Sequence, residues 1–148
     1  MTVREEIEKL KKEKNAVILA HYYVRPEVQE VADYIGDSFY LSKVAVGLKE
    51  QTIVFCGVSF MGESAKVLNP DKTVLMPDMH ADCAMAHMAD PETIRKVREK
   101  YEDVAVVCYI NSTAELKRYS DVCVTSANAV QIVKALPNRN IFFIPDRN

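Results

Sequence analysis

Val17-Ile-Leu-Ala-His-Tyr-Tyr23 is a continuous apolar run that ends on three rings with polar tips. Such unbroken apolarity belongs to a strand covered on both faces, as in a parallel sheet. Two runs of the same kind follow, Thr52 to Gly57 and Thr73 to Pro77, and the segments between them have the helical period. Pro26 opens one helix, with Val28, Val31, Ala32 and Ile35 on one face and Gly36 at the stop position. A second begins near Ser38 and carries Leu41, Val44, Ala45 and Leu48; a third follows Ser59 with Met61, Ala65 and Leu68. Ahead of them all, Thr2 and Glu5 form a capping-box pattern before Val3, Ile7 and Leu10, so the chain starts as a surface helix. The order is β-α-α-β-α-β.

The pattern then restarts. Asp90-Pro91 caps a helix through Tyr101, Val104 to Ile110 is a strand, and Ser112 and Glu115 box a short helix. Asp121 to Thr125 is a strand, Ser126 caps a helix bearing Ala129, Ile132, Val133 and Leu136, and Ile141 to Pro145 closes as a strand. Lys66 to Asp78 aligns without a gap on Lys134 to Asp146, an offset of 68 (134 minus 66), whereas the opening strands at Val17 and Val104 are offset by 87 (104 minus 17). The difference of 19 is about one helix and its turn, so the second unit is expected to lack the helix at 38–49. The predicted fold is α/β: tandem three-layer α/β/α domains with parallel sheets, related by an internal repeat, over residues 1–85 and 86–148, the second incomplete.

Composition narrows the function classes. Of 148 residues 49% are hydrophobic and 27% charged, with a net charge of -2, a profile that excludes disorder and any basic surface for nucleic acid. No apolar run approaches the roughly 20 residues of a membrane span, and the charged start is not a signal peptide, so a cytoplasmic location is expected. Cys56, Cys108 and Cys123 sit in strand-like runs as buried, reduced thiols, while Cys83 lies in a loop.

Ligands of open parallel sheets bind beyond the carboxyl ends of the strands. This sequence places His21 and Tyr23 there after the first strand, Ser59 after the second, Asp78 and Cys83 after the third, Tyr109 and Asn111 after the fourth, and Thr125 and Ser126 after the fifth. Asp37 and Ser38 open a helix between the first two strands, where a hydroxyl and unused amides favour an anion. Ser38 and Ser126 thus read either as N-caps or as carboxylate or phosphate anchors. His21 reads as a structural or a reactive imidazole, Tyr23 and Tyr109 as half-buried rings or donors, and Asn111 as a turn former or a ligand. His80, Cys83 and His87 have an H-x2-C-x3-H spacing that zinc could use, though three donors without a partner pair do not define such a site.

The wording at the strand ends is specific: ILAHYY at 18–23, GDS at 36–38, IVFCGVSFMGESAKVLNPDKTVLMPD at 53–78, DCAMA at 82–86, YINSTAELK at 109–117, VTSANAV at 124–130 and PDRN at 145–148. Together and in order these segments resemble the quinolinate synthase family. The resemblance implies three similar α/β domains around a pseudo-threefold axis, an active site where they meet and a 4Fe-4S cluster within it. It implies condensation of iminoaspartate with dihydroxyacetone phosphate to quinolinate in NAD biosynthesis, with those two molecules as substrates and an iminoaspartate-supplying enzyme as a partner. Position by position, it implies Cys83 as the first of three cluster cysteines, His21 and Ser38 as substrate contacts, and Tyr109, Ile110, Asn111 and Ser126 as the rest of the dicarboxylate site. It implies a later role for the Tyr23 hydroxyl, catalytic work for His21 and Tyr109, and Asp37, Phe60 and Met61 lining the cavity. The family's chains run on to two more cluster cysteines and a third domain, so this one is expected to be inactive alone and to self-associate through an uncovered face. A non-catalytic metabolite-binding module and a zinc or thiol protein built on His80, Cys83 and His87 stand as the alternative readings.

Overall fold

The computed structural model describes residues 1–145, so Asp146, which closes the repeat alignment, and most of the quoted 145–148 segment lie outside the described residues. Two compact units divide the chain, the first Met1–Asp82, the second beginning at Cys83. Both are parallel sheets alternating with helices.

In the first unit helix α1 (Val3–Glu13) starts on the full capping box, with Thr2 Oγ1 accepting from Glu5 N at 3.2 Å and Glu5 Oε2 accepting from Thr2 N at 2.8 Å. Asn15, at φ 47, turns the chain into strand β1 (Ala16–His21), a left-handed conformation that asparagine tolerates. There follow α2 (Pro26–Gln29), β2 (Tyr34–Gly36), α3 (Ser38–Gly47), β3 (Thr52–Cys56), α4 (Ser59–Leu68) and β4 (Thr73–Leu75). The strand order is β2-β1-β3-β4. Leu19, Ile53 and Phe55 of the central strands are sealed from solvent, as unbroken apolar strands should be.

The helix expected from Pro26 to Ile35 is a correction. It stops after one turn, and Tyr34 and Ile35 form an edge strand instead. Val28, Val31 and Ala32 still pack on Ile18, Ala20 and Cys56, so their common face was read rightly while its period was not. The Asp33 carboxylate bonding the Ile18 amide at 2.8 Å fixes the start of β2 and outweighs helix continuation.

The second unit holds a short 3-10 helix (Ala84–His87), α5 (Pro91–Lys100), β5 (Val104–Tyr109), α6 (Ala114–Arg118), β6 (Val122–Val124), α7 (Ala129–Ala135) and β7 (Asn140–Ile144), with strand order β6-β5-β7. Asp90 caps α5 by accepting from Thr93 N at 2.8 Å. Thr113, not Ser112, caps α6, and Asn128, not Ser126, stands at the cap position of α7. Ser112 is instead buried, and Asn128 Oδ1 accepts from Thr125 N at 2.7 Å and from Thr125 Oγ1 at 3.2 Å. Cys123 is exposed rather than buried, because β6 is an edge strand.

The repeat has a different register from the one expected. Leu19 pairs with Tyr34 and Val107 with Val122; Ala16 pairs with Thr52 and Val104 with Asn140. Every member of the second set stands 88 residues after its counterpart (107 minus 19, 122 minus 34, 104 minus 16, 140 minus 52). Thus β5, β6 and β7 answer to β1, β2 and β3, and α7 answers to α3. Among the described residues, no helix is missing between β5 and β7. The ungapped match of 66–78 on 134–146 sets β4 against β7, two short apolar strands that each follow a helix and a proline turn, and similar local constraints gave them similar composition.

Candidate functional site

In the first unit the polar groups gather at the carboxyl end of β1. His21 is 6% exposed, while Tyr23, two residues on, is 82% exposed. The imidazole stacks on Tyr22 with centroids 4.5 Å apart and planes 27° apart, and lies 4.7 Å from the Tyr23 ring. Its Nδ1 accepts from the Tyr23 amide at 3.2 Å, so the proton of the neutral ring sits on Nε2. Burial pushes the His21 pKa below its ordinary value against the opposing pull of the Asp37 carboxylate, so at neutral pH this is an uncharged N–H donor. Gln29 holds the Tyr22–Val24 turn from below, its Nε2 donating to Tyr22 O at 3.1 Å and Val24 O at 2.8 Å.

Beside β1, Gly36 is the register partner of His21. A Cβ there would come within 2.2 Å of the Tyr40 ring, so only glycine lets α3 start so close to the strand. Asp37 caps α3, accepting from Tyr40 N at 2.7 Å. Ser38 is therefore the first helical residue rather than the cap, half-buried, with its carbonyl accepting from Ser42 Oγ at 2.7 Å. Phe60 and Met61, expected to line a cavity, are core residues at the start of α4. The Ser59 amide donates to Ala81 O at 2.8 Å, which ties the approach to Cys83 to the head of that helix.

The second unit repeats the frame with other side chains. Tyr109 ends β5 where His21 ends β1, and Ser126 stands where Ser38 does, each 88 residues on (109 minus 21, 126 minus 38). Tyr109 Oη and Ser126 Oγ are hydrogen-bonded at 2.8 Å. The Ile110 amide donates to Val124 O at 2.8 Å, as Tyr22 N does to Gly36 O at 3.2 Å, so the turn after each leading strand is pinned identically. Asn111 follows, half-buried, in that turn.

Cys83 is a half-buried thiol at the cap position of the 3-10 helix, its carbonyl accepting from Ala86 N at 2.9 Å. His80 N donates to Asp78 Oδ1 at 2.8 Å in a local turn. Among the described residues no group of three or more His, Cys, Asp or Glu could hold a metal ion, so His80, Cys83 and His87 do not assemble a zinc site. Among these residues Cys83 alone offers the soft loop donor that an iron-sulfur cluster takes, which fits one ligand of a cluster and not a whole set. No described helix is long and apolar enough to cross a membrane.

Sequence reasoning missed the parts that hold the frame: Asp33, Gln29, Tyr22, Asn128 and Asp121. A signal was present, since Asp33 and Ser38 share with Asp121 and Ser126 the spacing Asp-x4-Ser.

Residues 5–148 match the family model described as quinolinate synthetase A protein. The chain is 62% identical over 146 residues to the quinolinate synthase of Fusobacterium nucleatum subsp. nucleatum, which covers 99% of this chain and 49% of that protein. It is 58% identical over 148 residues to the quinolinate synthase of Clostridium perfringens strain 13, covering 100% and 49%. Against quinolinate synthase 2 of Methanosarcina acetivorans the identity is 55% over 146 residues, covering 99% and 47%. The chain spans about half the length of the curated relatives it matches.

Proposed function

The chain belongs to the quinolinate synthetase A family, and from that premise we propose that it carries anchoring and proton-moving groups with which a quinolinate synthase condenses iminoaspartate with dihydroxyacetone phosphate to quinolinate, releasing phosphate and water. The observation that supports this reading most is the repeated frame, which sets a proton-bearing group at the end of each leading strand and a serine at the start of the neighbouring helical segment.

In this reading the Ser38 and Ser126 hydroxyls and the Asn111 amide donate to substrate carboxylates, and the Ile110 backbone, pinned to Val124, holds that turn in place. Neutral His21 polarises a carbonyl or imine-derived oxygen by donating a hydrogen bond from Nε2, and its low pKa keeps the ring in this uncharged donor form. Tyr109, already bonded to Ser126, stabilises an enol oxygen by donating from Oη. Tyr23, exposed beside His21, serves a later proton transfer, with Asp37 biasing the charge of the imidazole. Phe60 and Met61 act from the core, by fixing the head of α4. When bound, a 4Fe-4S cluster with one open iron would act as the Lewis acid for a departing hydroxyl. Cys83 would hold one iron of it, and the described residues do not complete its ligand set. Since an imine hydrolyses in water, an enzyme that hands iminoaspartate over is the partner this chemistry favours.

Calorimetric titration with oxaloacetate, the oxygen isostere of iminoaspartate, tests the anchors. Binding should be measurable and about tenfold weaker in Ser38→Ala and in Ser126→Ala, the loss of one hydrogen bond to a charged group. Absence of binding, or identical affinity in both variants, would overturn the assignment.

A further inference from the structure

We propose that Cys108 and Cys123 form an oxidisable dithiol, a site for thiol–disulfide exchange with low-molecular-weight disulfides of the glutathione class. The two residues are register partners on neighbouring parallel strands, β5 and β6. Their side chains therefore leave the same face, one strand spacing apart, about 4.8 Å. That separation lies within the roughly 4.4–6.8 Å of Cα distance that a disulfide spans. In the first unit the same two places hold Ala20 and Ile35, so the thiol pair belongs to the second unit and is no consequence of the shared frame.

The surroundings favour reaction. Cys108 packs among Ile94, Val106, Leu116 and Ile144, whereas Cys123, on the edge strand, is open to solvent and gives a reagent its entry. Ser112 is fully buried, and its Oγ has no hydrogen-bond partner of good geometry, yet it lies close enough to the Cys108 sulfur to stabilise an anion there. Hydrogen bonding from Cys123 draws the Cys108 thiol down to about 6 against the cost of burial, with Ser112, Ser120 and Lys117 adding to the pull. Cys123, as donor to that sulfur, is pushed up. The pair is thus easier to deprotonate than a lone buried thiol, and its two sulfurs share the remaining proton.

Exchange proceeds in two displacements. The exposed Cys123 sulfur, its proton passed to Cys108, attacks a disulfide R–S–S–R, forming Cys123–S–S–R and releasing RS⁻. Cys108, giving up that proton to the released thiolate, attacks the Cys123 sulfur, forms the Cys108–Cys123 bond and expels a second RS⁻, which takes up a proton from water. Two electrons pass to the small disulfide, which leaves as two thiols. The new bond would lie one residue before Tyr109 and three before Ser126, beneath their hydrogen bond.

Incubation of the reduced chain with oxidised glutathione, followed by alkylation in denaturant, which opens the buried thiols, and peptide mapping, decides the matter. The expected product joins the Cys108 and Cys123 peptides with loss of two hydrogens, while Cys56 and Cys83 remain alkylated. In Cys108→Ala the reaction should stop with glutathione on Cys123; in Cys123→Ser, altered at the exposed position, Cys108 should remain alkylatable. A wild-type chain that keeps glutathione on Cys123, pairs Cys108 elsewhere or stays unmodified would overturn the proposal.

Discussion

Asp33 and Asp121 hold equivalent places in the two sheets. Oδ2 of Asp33 accepts from Ile18 N at 2.8 Å and Oδ2 of Asp121 accepts from Val106 N at 2.7 Å, while each aspartate's own amide returns a bond of 2.9 Å to Ile18 O or Val106 O. A carboxylate thus begins the ladder that the short edge strand continues. Each is also held by a cation, Lys11 at 2.7 Å and Arg98 at 2.9 Å. Burial works against the charge on Lys11, but hydrogen bonds and Coulombic attraction from Asp33 and Glu8 outweigh it and hold its pKa above the ordinary value.

Asp33→Ala and Asp121→Ala should therefore each leave a strand amide without its acceptor and cost about 1–3 kcal/mol. Urea denaturation measures the loss, and hydrogen exchange should show β2 or β6 opening first. Asn substitution should recover part of it, since the amide oxygen still accepts. Equal stability of the Ala variants and the parent would refute the brace.

His21 gives the stability a pH dependence of definite sign. Its folded pKa lies below the unfolded value of about 6.5. The unfolded chain therefore binds the proton first on acidification. The contribution is complete above about 6.5 and is lost as pH falls through the folded pKa. His21→Gln should flatten this part of the stability–pH curve, as read from midpoints between pH 7.5 and 5; an unchanged slope would argue against a buried neutral ring.

Gly36→Ala should be more damaging than its surface-near position implies. The added methyl meets the Tyr40 ring, so α3 or the ring must move, at a cost of about 1–3 kcal/mol. Since Gly36 pairs with His21, the altered environment should also shift the His21 imidazole resonances. The corresponding place in the second unit is held by buried Val124, so the constraint arises from Tyr40 and not from the repeat itself.

Asn128 and Ser126 separate structure from binding. Asn128→Ala removes the acceptor of two bonds from Thr125 and should cost about 1 kcal/mol in thermal or chemical unfolding. Ser126→Ala, which loses only an exposed bond to Tyr109, should leave stability within about 0.5 kcal/mol while weakening dicarboxylate binding. The reverse ranking would restore Ser126 to the role of cap.

The parallel α/β class was legible because β1, β3 and β5 are unbroken apolar runs and because Asp90-Pro91 and Thr2 with Glu5 are strong helix starts. Strand β2 was not, since its three residues are set by the Asp33 bond to a distant amide, and short-range periodicity carries no trace of such a bond. The ring stack on His21 and the bonds of Asn128 to Thr125 are local, within three residues, yet neighbouring side chains offered the same roles and periodicity does not choose among them. The positions of His21, Ser38, Tyr109 and Ser126 at strand and helix ends could be read from element order alone, whereas their common register could not, because the Lys, Leu, Pro and Asp that flank β4 recur around β7 and drew the alignment away from the match of Ile53 and Phe55 with Ile141 and Phe143.

The shared register separates scaffold from reagent. With both leading strands, both edge strands and both carboxylate braces spaced alike, an imidazole at 21 and a phenol at 109 are alternative fittings on one mount. Exchanging them, His21→Tyr with Tyr109→His, is then an operation the architecture itself defines. Descendants of a duplicated ancestor could have specialised by altering that single fitting in each copy, with the mount inherited intact.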